Sequence, residues 1–158
     1  MYPRALTRWL YRGHRPNGIA RFMNRSWAAV SASGVAAKFG AVTLNVVGRQ
    51  SGRTVSLPLV MVTVAGQRYL VSMLGDDVQW VKNVRAADGR AALRSGRREE
   101  VYLEEIPAEQ RAPILQVYLQ HAPGARPHIP VDKDAPLAAF ERVASAYPVF
   151  RVVTPATA

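Results

Sequence analysis

Three apolar segments in the first half of the chain are separated only by short turns, at residues 41–47, 54–64 and 68–73. Apolar and polar residues alternate in the first of them, which is the pattern of a strand with one buried face. Short connections cannot hold a crossover helix, so neighbouring strands must pair antiparallel. Pro58 has no amide hydrogen and predicts a free edge or a bulge in the long second strand. This block therefore predicts an antiparallel sheet.

The rest of the chain supplies three more strands and three helices. Their predicted ranges are helix 77–87, strands 90–95 and 98–105 around Gly96, helix 107–120, helix 135–146 and strand 148–153. Residues 75–77 are predicted to cap the first of these helices, and the segment 121–134, rich in proline and glycine, is predicted to be an exposed loop. Six strands joined by hairpins, with no βαβ alternation, predict an α+β fold in which helices flank an antiparallel barrel.

The first 34 residues are interpreted as a basic helical segment, followed by a barrel domain over residues 35–158. Amphipathic helices are predicted at 3–12 and 19–33. The first of them carries three basic residues on one face, Arg4, Arg8 and Arg12. A basic amphipathic helix is typical of a membrane surface. Peripheral contact of residues 3–12 with an anionic membrane and packing on the domain itself are the two alternatives.

Basic residues are concentrated at the start of the chain. There are 21 Lys or Arg and 11 Asp or Glu, and the first acidic residue is Asp76, so the whole net charge of +10 falls before that position. One-sided charge indicates an anionic partner: a phosphorylated cofactor, an anionic membrane or nucleic acid. The alternative is that scattered surface arginines serve only solubility. Nucleic acid is disfavoured, because aromatic and basic residues do not interleave along the strands.

Several other classes of site are excluded by composition. Cysteine is absent, so disulfides, thiolate metal sites and cysteine catalysis are excluded. The three histidines show no metal-ligand spacing, and no metal site is expected. No signal peptide is expected, and the sequence has no apolar run of about 20 residues. The sequence therefore predicts a cytoplasmic protein that is at most peripheral to the inner face of the membrane.

The loop between the first two strands, residues 48–53, has the sequence Gly-Arg-Gln-Ser-Gly-Arg. Its glycines permit a tight turn and the close approach of a ligand to the backbone. Exposed amides, the Ser51 hydroxyl, Arg49 and Arg53 could hold a phosphate or a carboxylate. The alternative is a plain hairpin with surface arginines. It is not a Walker loop, because no Gly-Lys-Ser/Thr follows at the required spacing.

A second candidate site lies where the third strand ends, at Ser72 and Gly75, and where the next helix carries Trp80 and Asn83. A strand end, a glycine and a helix start form a natural pocket wall. Trp80 could stack on a planar ring there. The alternative is that Trp80 belongs to the core and that Asn83 is a surface or capping residue.

Together these segments resemble the deazaflavin-dependent nitroreductase family of the flavin/deazaflavin oxidoreductases, whose fold is an FMN-binding-like split β-barrel. The resemblance covers about residues 38–153. It is carried by the loop 48–53, Pro58-Leu59, Tyr69-Leu70-Val71-Ser72, Gly75 and Trp80-Val81-Lys82-Asn83-Val84-Arg85. The Trp-x-x-Asn spacing is its most specific part.

The resemblance implies that the cofactor is coenzyme F420, an 8-hydroxy-5-deazaflavin with a phosphate and a polyglutamate tail. It implies an oxidoreductase that passes hydride from the reduced coenzyme to a small electron-poor acceptor: a quinone, a nitroaromatic or an activated alkene. The implied cofactor-binding residues are Gly48, Arg49, Gln50, Ser51, Gly52, Arg53, Pro58, Ser72, Met73, Gly75, Trp80 and Asn83. The sequence identifies no catalytic residue; water and Ser72 are the candidate proton donors.

Several positions that are basic in that family are not basic in this chain. Three cations are missing: Gln50 replaces a second base of the loop, Val55 and Ser56 stand where an arginine commonly precedes Pro-Leu, and Met73-Leu74 replaces Pro-Arg or Pro-Lys. An acidic residue, Asp76, stands where the family has a glycine. The cations that remain are Arg49, Arg53, Lys82 and Arg85. Each charge-assisted phosphate contact contributes roughly 1.5–3 kcal/mol. The departures therefore keep an alternative open: a split barrel that binds FMN or another anionic ligand, with or without turnover.

Overall fold

The computed structural model describes residues 40–155, which contain six strands and three α-helices. The strands are β1 Ala41–Val47, β2 Thr54–Val64, β3 Gln67–Val71, β4 Arg90–Ser95, β5 Arg97–Glu105 and β6 Val149–Val153. The helices are α1 Gln79–Ala86, α2 Ala112–His121 and α3 Leu137–Val143. All strand pairs are antiparallel, and the wall closes in the order β1-β2-β3-β6-β5-β4. The predicted α+β split barrel is confirmed.

Residues 1–39 and 156–158 lie outside the described part of the chain. The predicted helices at 3–12 and 19–33 fall there. These helices, and the division of the chain at residue 34, therefore stay predictions from the sequence.

The β2–β3 hairpin shows how a short turn sets the register of the barrel. Val64 pairs with Gln67 across the two-residue turn Ala65–Gly66. The φ angles of these two residues are 51° and 77°, both in the left-handed region. Two positive φ angles make the I′ turn, whose twist matches that of the flanking strands. Glycine adopts this conformation freely, whereas it costs alanine roughly 1–2 kcal/mol.

Alternation along the strands sends one set of apolar side chains into the barrel. We call the end that carries loop 48–53 the upper end and the end that carries turn 65–66 the lower end. Helix α1 packs its apolar face on the interior from the upper end. The buried interior includes Val42, Leu44, Val46, Leu70, Leu93, Val101, Leu103, Phe150, Val152, Trp80, Val81 and Val84. Each such side chain contributes roughly 1.5–3 kcal/mol when it is fully buried.

A second apolar layer lies on the outer face of β2, β3 and β6. Val62, Val71 and Val149 point outward from these strands, and they are buried because α2 and α3 pack over them. Fully buried residues of the two helices, Leu115, Leu119 and Phe140, complete this layer. Strands β2, β3 and β6 are therefore packed on both faces, and they form a rigid support for loop 48–53 and the other segments at the upper end.

All three helices predicted in this part of the chain are shorter than their predicted ranges, and the one predicted at 135–146 ends at Val143, before a 3₁₀ turn at Ala144–Ala146. The helix predicted at 107–120 begins only at Ala112, after a 3₁₀ turn at Ala108–Gln110. Pro113 explains the break, because its ring clashes with the carbonyl four residues earlier and is tolerated only in the first turn of a helix. The predicted cap at residues 75–77 is wrong: α1 begins after Val78, without a side-chain cap.

The segment 121–134 was predicted to be an exposed loop, and this prediction is wrong in part. Three of its residues, Ala122, Ala125 and Ile129, are buried in the outer apolar layer. Their spacing of three and four residues lets one side of an irregular segment pack inward, while its prolines and charged residues stay exposed or half-buried. The predicted hairpin around Gly96 and the final strand are confirmed.

Candidate functional site

Loop 48–53 joins β1 to β2 at the upper end of the barrel, and its two glycines serve different purposes. A Cβ on Gly48 would lie 2.8 Å from Ser51 Oγ and 3.3 Å from the Arg53 carbonyl oxygen, so no side chain fits there without a shift. Gly52 has open space around it but a φ of +71°. The first position therefore needs glycine for space and the second for its backbone conformation.

Most backbone amides of this loop are already used inside the protein. Gly48 N donates to the Arg53 carbonyl oxygen (2.8 Å) and Gly52 N to the Gly48 carbonyl oxygen (2.9 Å). Arg53 N donates to Ser51 Oγ (3.2 Å). Arg49 N also has a partner, described below. Within residues 40–155, only the amides of Gln50 and Ser51 are left in this loop to bind a ligand.

Arg49 is held in place by neutral groups of helix α1. Its amide (3.2 Å) and its Nη1 (2.7 Å) both donate to Asn83 Oδ1, and its Nη2 donates to Gln79 Oε1 (3.0 Å). Asn83 is only 4% exposed. Positions 79 and 83 are one helical turn apart on the same face of α1. The helix therefore orients the Arg49 guanidinium, and no carboxylate among residues 40–155 pairs with it.

Three further cations were suggested by the sequence, and two of them, Lys82 and Arg85, are paired with carboxylates. Among the described residues, the Arg53 guanidinium makes no hydrogen bond or ion pair. Lys82 pairs with Asp77. Arg85 donates to Asp76 Oδ1 (2.6 Å) and, through Nε and Nη2, to both oxygens of Glu105 (2.8 Å each). Arg49 and Arg53 thus remain as the cations of the loop.

Asp76 does not act as an isolated negative charge beside the site. The hydrogen bond from Arg85 lowers the pKa of its carboxyl group below the ordinary value. The carboxylate is two-thirds exposed, so water also screens it. The acidic residue that stands where the resembling family has a glycine is therefore electrostatically compensated by a basic residue on α1.

The segment after β3 turns back on itself at Ser72 and Gly75. Ser72 Oγ donates to the Gly75 carbonyl oxygen (2.6 Å), and Gly75 N donates to the Ser72 carbonyl oxygen (3.2 Å). This turn ends β3 at Val71, two residues before the predicted end. Ser72 is 1% exposed, and its buried hydroxyl makes the hydrogen bond that closes the turn. The neighbouring Met73 is half-buried and packs against the outer apolar layer.

Trp80 lies in the interior core at the upper end of the barrel. Its side chain is 8% exposed, and its ring centroid is 5.5 Å from that of Phe150, with the planes tilted by 54°. This tilted contact is a favourable arrangement of two aromatic rings. Trp80 is therefore a core residue, which is the alternative that the sequence analysis considered for it.

The barrel wall is split beside the upper half of β2. Residues 54–60 of β2 pair with β1, whereas pairing with β3 starts only at Met61. Within the described residues, the upper half of β2 thus has a free edge on its β3 side. Pro58 lies in this half, so the predicted edge is confirmed. A residue without an amide hydrogen is tolerated there, because no strand on the β3 side accepts a hydrogen bond from this part of β2.

Half-buried apolar side chains line the inner side of this split. Leu57 pairs with the buried Leu44, and Leu59 with the buried Val42, so both point inward. The set comprises Leu57, Leu59, Met61 and Leu74, which pack against the interior core and stay partly accessible. The sequence analysis assigned none of these four residues to a site. The sequence signal that could have identified them is the alternation of apolar residues on both sides of Pro58.

Metal chemistry and membrane insertion receive no support from the described residues. Residues 40–155 contain no cluster of His, Asp or Glu that could hold a metal ion. No helix in the same part of the chain is long and apolar enough to cross a membrane. Contact of residues 3–12 with a membrane surface stays a prediction, because those residues lie outside the described part.

Residues 21–138 match the protein family described as F420H(2)-dependent quinone reductase. This range includes loop 48–53, the segment after β3 and helix α1. No protein with a curated description matches the chain.

Several solved structures are similar to this chain at low sequence identity. The conserved hypothetical protein Rv2991 from Mycobacterium tuberculosis has a TM-score of 0.53 at 15% identity, with 73% of each chain covered. The protein Atu2129, of unknown function, from Agrobacterium tumefaciens has a TM-score of 0.54 at 10% identity, covering 83% of this chain and 55% of that one. These two share the fold. The F420-H2 dependent reductase FDR-A is 21% identical, covers 72% of this chain and 93% of its own, and has a TM-score of 0.48.

Proposed function

We propose, from the premise that this chain belongs to the F420H(2)-dependent quinone reductase family, that loop 48–53 holds the phosphate end of coenzyme F420 and that the acceptor is a quinone. A member of this family is a reductase that uses coenzyme F420, and this protein is accordingly an F420-dependent oxidoreductase. The assignment of individual residues to the cofactor and the choice of acceptor are the new elements.

The observation that carries the proposal is the state of Arg49. Its guanidinium is fixed by two amide oxygens of α1 and, in the described part of the chain, is not paired with a carboxylate. A cation that is already oriented loses little side-chain entropy when an anion binds. Arg53 adds a second cation on the same loop, and each charge-assisted contact to a phosphate contributes roughly 1.5–3 kcal/mol. The amides of Gln50 and Ser51 and the Ser51 hydroxyl complete a donor set that fits an anion.

The apolar lining of the split provides the second part of the site. When bound, the reduced deazaflavin supplies the hydride for the reaction, and the protein positions the ring and the acceptor. Leu57, Leu59 and Leu74 would contact a planar ring and keep water away from it. Gly75 and Met73 would limit the ring at the segment after β3. We assign Ser72 a role in shaping this segment, because its hydroxyl is committed to the Gly75 carbonyl oxygen.

The same lining favours a quinone as the acceptor. A quinone is planar and largely apolar, and it is reduced at oxygens that can take protons from water at an open split. Nitroaromatics and activated alkenes share the planar, electron-poor character, so the difference between these acceptors is one of rate. We expect the highest kcat/KM with a quinone.

The first experiment is a fluorescence titration of the full-length protein with oxidised coenzyme F420, with FMN in parallel. We expect F420 to bind more tightly than FMN. Arg49→Gln and Arg53→Gln should each raise the Kd for F420 by about tenfold or more, because each removes one charge-assisted contact. Arg97→Gln, which removes an exposed arginine at the lower end, is the matched control and should leave the Kd unchanged. Wild-type affinity in both loop variants would contradict the proposed phosphate site.

The acceptor is tested by following the oxidation of the reduced coenzyme with a quinone, a nitroaromatic and an activated alkene at equal concentrations. The proposal requires the quinone to give the largest kcat/KM. A larger value with either other acceptor would leave the cofactor site intact and refute the choice of acceptor. Tighter binding of FMN than of F420 in the titration would favour the FMN alternative instead.

A further inference from the structure

Arg111 is a buried arginine that connects three parts of the upper end of the barrel. It is 8% exposed. Its Nε donates to the Ile106 carbonyl oxygen (3.0 Å), and its Nη2 to Glu105 Oε2 (3.2 Å). Its Nη1 lies within 3.2–3.5 Å of three carbonyl oxygens, those of Ala144, Ser145 and Tyr147. A buried guanidinium with this many acceptors fixes their relative positions, because each acceptor left unpaired would be costly.

A chain of ion pairs runs from Arg111 to the segment after β3. Glu105 accepts from Arg111 on one oxygen and from Arg85 on both oxygens. Arg85 in turn donates to Asp76 (2.6 Å). The bidentate pairing fixes the plane of the Arg85 guanidinium as well as its distance from Glu105. Asp76, directly after Gly75, is therefore connected to the buried Arg111 through two side chains, those of Arg85 and Glu105.

A backbone route reaches the same segment from the other side. The residues that Arg111 holds, Ala144 to Tyr147, lead directly into Pro148, whose carbonyl oxygen accepts from Ser72 N (2.9 Å). The carbonyl oxygen of Ala146 lies 3.4 Å from the position that a Cβ on Gly75 would occupy. Segment 72–76 is thus bonded at its start to the residue that follows those held by Arg111, and it is joined at its end to Arg111 through Arg85 and Glu105.

We propose that Glu105 and Arg111 are positioning residues that hold segment 72–76 in the shape required at the cofactor site. Beyond its internal turn, the bonds of this segment to other described residues are the Pro148–Ser72 hydrogen bond and the Asp76–Arg85 pair. The first extends the pairing of β3 with β6 next to the residues that Arg111 holds, and the second belongs to the network of Asp76, Arg85, Glu105 and Arg111. The inference rests on the proposed function in one respect, that segment 72–76 lines the cofactor site. It also assigns Arg85 to the network and not to the phosphate.

The main test is Glu105→Gln in the full-length protein, with Glu104→Gln as the matched control. Glu104 is the adjacent residue and pairs with Arg151 on the surface. Amide exchange of residues 72–76 is measured without cofactor, and the Kd for oxidised F420 is measured by fluorescence, both well below the melting temperature. We expect faster exchange in this segment and a Kd raised by about tenfold in Glu105→Gln, as the loss of a charge-assisted hydrogen bond implies. Glu104→Gln should change neither.

The kinetic signature separates positioning from general instability. Misplacement of segment 72–76 should raise the KM for the reduced coenzyme more than it lowers kcat, whereas partial unfolding would lower kcat at unchanged KM. A folded Glu105→Gln variant with wild-type exchange in residues 72–76 overturns the proposal. The exchange measurement needs no cofactor, so this failure is distinct from failure of the phosphate site, which appears as wild-type binding in the Arg49 and Arg53 variants.

Asp76→Asn provides a second test at an exposed position, should Glu105→Gln not fold. Its matched control is Asp77→Asn, which removes the same charge one residue away. If Asp76 anchors the segment, the Asp76 variant binds F420 several-fold more weakly and this loss persists at high salt. If Asp76 only repels the anionic cofactor, the variant binds more tightly and the gain disappears in salt, since screening removes long-range repulsion. The second result would overturn the anchoring role.

Discussion

Asn83→Asp should separate the stability of the site from its affinity for the cofactor. Asn83 Oδ1 accepts two hydrogen bonds from Arg49, at 3.2 Å from the amide and 2.7 Å from Nη1. Aspartate has the same shape and keeps an acceptor in the same place. The added charge, however, compensates the Arg49 guanidinium, on which the proposed phosphate site depends.

The magnitudes follow from these contacts. Compensation of one cation removes the equivalent of one charge-assisted phosphate contact, roughly 1.5–3 kcal/mol, which corresponds to an increase in Kd of about 10- to 150-fold. The unfolding free energy should change by only about 1 kcal/mol or less, because the cost of burying a carboxylate is offset by its pairing with Arg49. Asn83→Ala, in contrast, loses both acceptor contacts and should lower the unfolding free energy by about 2 kcal/mol.

The assay pairs a urea unfolding curve with a fluorescence titration of oxidised F420 for each variant. Gln67→Glu, which adds one negative charge at the lower end, controls for net charge. Wild-type affinity in Asn83→Asp would refute the reasoning, since the charge of Arg49 would then play no part in binding. An Asn83→Ala variant as stable as the wild type would show that the hydrogen bonds from Arg49 to Asn83 do not stabilise the contact between α1 and loop 48–53.

Two further predictions concern the barrel itself. Ala65→Gly should raise the unfolding free energy by about 0.5–1 kcal/mol, because glycine accepts the φ of 51° at this turn without strain; an unchanged or lower urea midpoint would contradict this. Glu99 accepts two hydrogen bonds from Arg68 (2.7 and 2.8 Å), which lower the pKa of its carboxyl group. The pair therefore stabilises the fold above the unfolded pKa of Glu, about 4.3, and this contribution is lost as the pH falls through the lower folded value. The difference in stability between wild type and Glu99→Gln should accordingly shrink at acid pH, and a difference that stays constant down to about pH 3 would exclude this account.

Local signals in the sequence accounted for most of the strand architecture. Alternation placed β1 and β2 at the residues where the structure has them, because side chains of a strand must alternate between core and outside. Pro58 correctly marked a free strand edge, because the absence of an amide hydrogen is a local property. Helix ends were less accurate. Pro113 restricts the start of α2 to Ala112, and Asp76 and Asp77 pair with Arg85 and Lys82 and do not cap α1.

The sequence by itself determined the barrel class, the glycine-framed loop 48–53 and the presence of arginines at 49 and 53. Only the tertiary structure decided which charges are available to a ligand, because ion pairing depends on residues far apart in the chain. It pairs Lys82 and Arg85 with carboxylates, leaves Arg49 with amide partners on α1, and commits the Ser72 hydroxyl to a neighbouring carbonyl. It also turns Leu57 and Leu59 toward an opening in the wall, since the split arises from where β3 stops pairing with β2, and no local pattern in either strand sets that point.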